Sequence, residues 1–404
     1  MKKLDVYYCG WGEHWRLGTL ADNGASLLFE YSPEALAQKL ELSPRHLKLR
    51  AQAYGGFPAY QHRLPGLVAD ALPDGWGLLL MDRLFRRQGI SPGPLDRLAF
   101  IGDRALGALS FVPAADTPLP EADLQLLALA QESQQVLAGE ESAVLMELVL
   151  TGGSPQGARP KALVQYDPQA QQVSTLPGAL GEPWLVKFQA QGEHKEVCAI
   201  ENLYAELARA CGLRMPATTY FDLSPKLAGF GIARFDRAGE LRVPVHSLAG
   251  LLHADFRLPS LDYTTFLRAT RLMTRDQREV EQAFAHAVFN VVFHNRDDHA
   301  KNFAYRLDSD RRWRLAPAYD LTFSQGPGGE HQTDICGEGR RITRSHLLTL
   351  ASQGGVEPAE ANAIIERILE QAVQFRQRAS GHPIRRDTVA QIAKVIEECR
   401  SAAA

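Results

Sequence analysis

The stretch that most limits what this chain can fold into is an apolar run that ends abruptly in charge. Ala283–Phe293 is almost continuously hydrophobic and reads as a buried helix. It is followed at once by H-N-R-D-D-H-A-K-N-F, residues 294–303. A helix buried on all sides delivers its end to the interior. Asp297, Asp298, His299, Lys301 and Asn302 are therefore expected where charge is expensive to bury. Groups in such a place are paired, metal-bound or catalytic.

Spacing narrows the choice. Asp297 and Asn302 are five residues apart. The base aspartate and the metal-binding asparagine of a protein-kinase catalytic loop are spaced in the same way. Phe303–Leu307 and Trp313–Ala316 read as two short strands joined by the turn Asp308-Ser309-Asp310. The returning strand leads into A-P-A-Y-D-L, residues 316–321, and so brings Asp320 back beside Asn302. A carboxylate and an amide oxygen side by side suit Mg²⁺, which also accepts phosphate oxygens.

These residues carry a resemblance. D-D-H-A-K-N followed by A-Y-D-L resembles the HipA-type serine/threonine kinases, the toxins of bacterial toxin–antitoxin pairs. The likeness extends along the whole chain and is most specific at 295–302 and 316–321. It implies an α+β, two-lobed protein-kinase-like fold with an N-terminal β-rich subdomain and a helical C-lobe. It implies ATP and Mg²⁺ as cofactors, and a helix-turn-helix antitoxin that ties the chain to operator DNA. It also implies a protein substrate, with aminoacyl-tRNA synthetases as the best-known target class.

Composition sets outer bounds. The 404 residues are 45% hydrophobic and 23% charged, ordinary for a globular protein. A net charge of −3, from 44 basic and 47 acidic residues, gives no global pull toward nucleic acid or anionic membrane. The five cysteines are scattered and form no C-x-x-C pair, which fits a reducing cytoplasm and argues against structural zinc. No signal-peptide core opens the chain, and no apolar stretch is long enough to span a bilayer.

Turn and periodicity signals suggest three regions: 1–115, 116–244 and 245–404. In the first, Val6–Tyr8, Arg16–Leu20 and Ser26–Phe29 read as strands, with Asp22-Asn23-Gly24 as a hairpin turn. Leu67–Gln88 reads as helical with a break near Pro73-Asp74-Gly75. The hexapeptide L-P-D-G-W-G there, residues 72–77, reads best as a helix-start turn over a buried Trp76. After a Pro-rich break at Pro113–Pro120, Leu124–Leu137 is an amphipathic helix. Then come a glycine-rich loop, a strand over Lys161–Gln165, a strand over Trp184–Phe188, a helix over Glu196–Cys211 and a strand over Phe230–Phe235. That order matches a kinase N-lobe. From about 245 the chain is mostly helical: Tyr263–Met273, Arg278–Phe293, Ser345–Gly354, Pro358–Arg378 and Asp387–Glu398. Ser324–Arg341, rich in glycine, reads as a long mobile loop in the place of a kinase activation segment.

The chemistry divides by group. Asp297 is the candidate base, because it and not Asp298 stands five residues before Asn302. Asn302 and Asp320 are the candidate Mg²⁺ ligands, with no D-F-G at Asp320. Glycines at 152–161 permit backbone N–H groups to approach phosphate, although no Walker A motif is present. The resemblance places Gln156, Gly157, Ala158, Arg159, Pro160 and Lys161 over the ATP phosphates. It places Lys187 on the α/β-phosphates as a catalytic lysine, with Glu201 as its partner and Glu206 in reserve. It places Ala233, Arg234 and Phe235 at the adenine, His299 and Lys301 near the nucleotide, and a self-inactivating phosphosite at Ser154. Alternatives are a lipid or small-molecule kinase sharing the D-x-H-x-x-N arrangement, or a non-catalytic kinase-fold docking module. A metal hydrolase on His294, Asp297, Asp298 and His299 lacks further ligands at familiar spacings.

Overall fold

The computed structural model describes residues 1–115, 123–142, 144–152 and 157–404. They form two compact units. The first comprises Met1–Cys198, Ala217–His246 and Gly250–His253; the second comprises Ala199–Pro216, Ser247–Ala249 and Ala254–Ala404.

The first unit is built on two five-stranded sheets. Strands β1 (Lys3–Tyr8), β2 (Trp15–Asp22), β3 (Leu27–Tyr31), β4 (Ala53–Tyr54) and β5 (Leu109–Val112) lie in the order β4-β3-β2-β1-β5. Burial alternates along β1, with Leu4, Val6 and Tyr8 inward, so one face is core. The β2–β3 turn forms as its sequence requires. The Asp22 and Asn23 side chains accept the N–H groups of Gly24 and Ser26, each at 2.8 Å, and Gly24 sits at φ 89°. The second sheet contains β6 (Lys161–Asp167), β7 (Gln172–Ser174), β8 (Glu182–Phe188), β9 (Thr218–Asp222) and β10 (Ala228–Ala233), in the order β7-β6-β8-β10-β9. Helices Gly66–Ala69 and Gly75–Arg87 flank the expected break at residues 70–74. Helices Pro94–Ile101 and Leu145–Gly152 and strands β5, β7 and β9 were not marked by clear periodicity, because the elements are too short to show one.

The second unit is helical around Gln277–Val292. This helix is buried from Ala283 through Val292, apolar on every side as its sequence demands. Tyr263–Thr274, Arg344–Gly354, Pro358–Val373 and Arg386–Ala403 pack against it. The run expected as one helix over Pro358–Arg378 is two, broken at Gln374. Asp276 caps the central helix by accepting Arg278 N–H at 3.0 Å. One turn in, buried Glu279 accepts Leu315 N–H at 3.0 Å and pairs with Arg214. It thereby fixes the hairpin of Ala304–Leu307 and Trp313–Leu315.

Ser324–Arg341 departs from the expected mobile loop. Asn295 forms a parallel bridge with Ser324, and Ser324 N–H donates to His294 O at 3.1 Å. Arg296 donates to the carbonyls of Gly329 and Arg340, the latter at 2.8 Å. Residues 331–333 are held by Asp298. Glycine content alone could not reveal these anchors, because all of them lie on the catalytic-loop side.

Candidate active site

The central helix ends at Phe293, and His294 then takes a left-handed conformation, φ 54°. This reversal turns the charged cluster off the helix axis. A chain of buried polar side chains supports it. Asn295 donates to Asn290 at 3.0 Å, Asn290 to Tyr263 Oη at 2.9 Å, and Tyr263 Oη–H to Asp298 Oδ2 at 2.7 Å. Burial, and then the Asp298 charge, push the Tyr263 hydroxyl far above its ordinary range, so it stays a donor.

The two neighbouring aspartates are in opposite situations. Asp298 is fully buried and also accepts His331 Nδ1 at 2.7 Å and Gln332 N–H at 2.7 Å. Asp297 has a side chain 47% exposed, with Gln332 Nε2 3.1 Å and His299 Nε2 3.7 Å from its Oδ1. A base must meet a substrate hydroxyl, and the reachable carboxylate is Asp297. Asp298 is structural.

Asn302 Nδ2 donates to the Asp297 carbonyl at 2.6 Å. With its nitrogen tied, the amide offers its oxygen to a cation. Tyr319 Oη donates to the Lys301 carbonyl at 2.5 Å, and Ala316 N–H to Ala304 O at 2.8 Å. Both bonds tie residues 316–319 back against residues 301–304, the segments that lead to Asp320 and Asn302. Asp320 sits at φ 56°, a conformation that non-glycine residues adopt rarely and that clusters at functional sites. His299 Nδ1 is buried with no hydrogen-bond partner among the described residues, and its ring lies 5.6 Å from Phe256. Lys301 Nζ stands 4.3 Å over the same Phe256 ring. Among the described residues no group of three or more His, Cys, Asp and Glu is gathered to hold a metal. The Asn302–Asp320 pair would complete a shell with oxygens from a ligand. Hard oxygen donors and an orphaned imidazole nitrogen fit Mg²⁺ with phosphate.

In the first unit, β6 and β8 place Lys161 directly opposite Lys187, and β8 and β10 place Phe230 opposite Lys187. Both lysines are buried, at 4% and 7% exposure, and Lys187 Nζ lies 5.9 Å from the Phe230 ring centre. The ladder thus brings two lysine side chains to one place on the sheet. Gly157 sits at φ 103°, a backbone conformation that residues with a Cβ rarely adopt. Lys187 is in the first unit and the expected partner Glu201, also buried, is in the second. Reserve partner Glu206 instead meets Asn202 Nδ2 at 3.1 Å and His382 Nε2 at 3.2 Å.

In the segment whose backbone is expected beside adenine, Arg234 directs its guanidinium to Asp236, with two bonds of 2.8 Å. Although burial pushes Asp236 up, Arg234 and Arg237 hold its carboxyl well below the usual carboxylate range. The N–H groups of Ala233 and Arg234 donate to Ala217 O and Pro183 O, each at 2.9 Å. Adenine contacts at these two positions are thus left to carbonyl oxygens. Arg159 pairs with Glu193 at 2.9 Å, and Pro160 O accepts Phe188 N–H at 2.8 Å. Ser154 and Gln156 lie outside the described residues.

The largest surprise is Asp74. In the L-P-D-G-W-G turn, Trp76 is buried as expected and Gly75 starts the helix. The Asp74 side chain does not cap that helix but accepts the N–H of Gly157, and Trp76 N–H donates to Gly157 O at 3.1 Å. A Cβ on Gly75 would lie 2.7 Å from Ala158 Cα. The turn is a clamp on the glycine-rich loop, 83 residues away in sequence.

Comparison with known proteins follows the same lines. Residues 5–112 match the HipA N-terminal domain and residues 153–375 match the HipA-like C-terminal domain. No curated protein matches the chain in sequence. A HipA chain from Shewanella oneidensis MR-1, solved with HipB and its operator DNA, covers 99% of this chain and 96% of its own. Its TM-score is 0.72 at 17% identity, which shows a shared fold. The Helicobacter pylori proinflammatory kinase CtkA covers 55% of this chain and 85% of its own, at 12% identity and TM-score 0.41.

Proposed function

The chain belongs to the HipA-like family, and on that premise we propose that it is an ATP-dependent serine/threonine protein kinase acting as a growth-inhibiting toxin. The observation that carries this reading is the sorting of the adjacent aspartates. Asp298 is buried in a polar network, while Asp297 stays reachable and its carbonyl orients Asn302. An arrangement with no such division of labour would not need two carboxylates.

Each group then has a role. Asp297 orients and accepts the proton of a substrate hydroxyl. Asn302 and Asp320 would hold Mg²⁺, which when bound neutralises charge developing on the transferred phosphoryl group. Lys161 and Lys187 bind phosphate oxygens, and His299 and Lys301 bind near them. Phe235 and the carbonyls of Ala233 and Arg234 border the adenine. Gly157, its N–H and carbonyl engaged by Asp74 and Trp76, sets the loop from which Ala158 brings backbone to the phosphates, and Ser154 is a site of self-inactivation. The partners are a helix-turn-helix antitoxin of the HipB kind and, through it, operator DNA; the target is a translation protein such as an aminoacyl-tRNA synthetase. The presence of HipB and operator DNA in the complex of the Shewanella relative supports the first two. Among the described residues no helix is long and apolar enough to cross a membrane.

The test is incubation of the full chain with γ-labelled ATP and Mg²⁺, alone and with a bacterial lysate, followed by mass spectrometry. Phosphoserine or phosphothreonine on a protein is expected. Label transferred to lipid, or ATP bound with no transfer, would overturn the reading.

A further inference from the structure

The same Asp298 that cannot be the base organises the chain that faces the base. Its carboxylate accepts His331 Nδ1 at 2.7 Å, Gln332 N–H at 2.7 Å and Thr333 N–H at 3.4 Å, and its carbonyl accepts Thr333 Oγ–H. Three consecutive residues are thereby fixed from both ends. His331 and Thr333 are buried, at 6% and 1% exposure. Gln332, between them, has its backbone pinned and its side chain directed at Asp297. Its Nε2 lies 3.1 Å from Asp297 Oδ1.

We infer that Gln332 is a positioning residue for Asp297, presented to it by a lock in which Asp298 holds His331–Thr333. The inference rests on the kinase reading of Asp297. The physical reason is the rotational freedom of an aspartate whose side chain is 47% exposed. Its terminal torsion is broad, and a base that swings samples few productive poses. The Gln332 amide on Oδ1 narrows the swing. A carboxylate offers about four lone-pair sites, so this amide does not by itself fill the capacity for a substrate hydroxyl. The glutamine amide is a neutral donor that neither takes the substrate proton nor adds charge beside the phosphates. The lock also explains why two aspartates stand side by side: one acts, and the other fixes the residue that steadies it.

Gln332→Met keeps the length of the side chain and removes the donor. At saturating MgATP, the rate of phosphoryl transfer to protein is expected to fall about tenfold, the effect of one hydrogen bond to a charged group. The KM for ATP is expected to stay unchanged. A purely structural role would move both, or neither. Hydrogen exchange reads the lock separately. The Gln332 and Thr333 amides should be protected in the wild type and in Gln332→Met. They should exchange at least about tenfold faster in Asp298→Asn, which keeps the shape and loses the charge. A Gln332→Met rate equal to wild type overturns the positioning role. A faster rate overturns it too, since the amide would then be a plug. Unchanged exchange in Asp298→Asn overturns the lock. Absence of any transfer by the wild type overturns the kinase reading and the Gln332 role with it, and the exchange measurement still decides the lock.

Discussion

At the scale of residues, the adjacent aspartates make the sharpest contrast. Asp297→Asn is expected to lower phosphoryl transfer by at least roughly 100-fold, while the unfolding midpoint in urea barely moves. Asp298→Ala is expected to do more than slow the reaction. It removes the acceptor from Tyr263, His331 and two backbone N–H groups, all in a dry interior. Stranding such donors should cost about 3 kcal/mol or more. A urea titration of both variants checks the pair; equal stability would mean that Asp298 is not the anchor described here. The preference for Asp297 over Asp298 rested on the five-residue spacing to Asn302. The burial of Asp298 could not be read there, because its partners Tyr263 and His331 are 35 and 33 residues away. Local pattern carries backbone periodicity; it does not carry which distant donor fills a pocket.

At the scale of elements, the helix-ending cluster and the return hairpin were both readable, since apolar period and turn residues determine them over a few residues. The clamp between the turn at 72–77 and the glycine-rich loop was not, although each piece was visible. The hexapeptide read as a helix-start turn over a buried Trp76, with no role for the Asp74 side chain. Tertiary contact directs that side chain to Gly157. Asp74→Ala should therefore leave the fold intact and weaken ATP binding several-fold, by releasing a loop amide from its set orientation. Asp74→Asn, which keeps an acceptor oxygen, should bind closer to wild type. Calorimetric titration with MgATP checks this; identical affinities for all three would show that the clamp does not act on the nucleotide. The same loop carries Ser154. A phosphate there adds roughly −1.5 to −2 charge next to a site for a polyanion. Phosphorylated chain should bind ATP far more weakly than bare chain, and Asp297→Ala should be isolated bare. Tight ATP binding by fully phosphorylated chain would refute self-inactivation at this serine.

At the scale of the whole molecule, each unit holds a histidine in neutral form, His253 half-buried and His286 buried. Burial, then His46 and His246, lower His253 to about 4 in the first unit, where its ring stacks on His46 at 4.2 Å. In the second unit, burial lowers His286 to about 4, where its ring lies edge-on to Phe303 at 5.1 Å. The ordinary value is 6.5. Between pH 6.5 and 4 the unfolded chain therefore binds protons that the folded chain refuses. The folded state loses stability as pH falls through that window, and these two groups contribute nothing further to the slope below it. For His286, which is 5% exposed, the loss between pH 7 and pH 5 should be roughly 2 kcal/mol. His286→Leu cannot take up a proton. It should show a correspondingly smaller drop in urea-unfolding free energy between those two pH values, whatever its absolute stability. The comparison uses the difference of differences, so the cavity or strain introduced by leucine cancels. If wild type and His286→Leu lose equal stability on acidification, His286 is not held neutral by the fold, and the tight apolar packing against Phe266 and Phe303 would have to admit a charge.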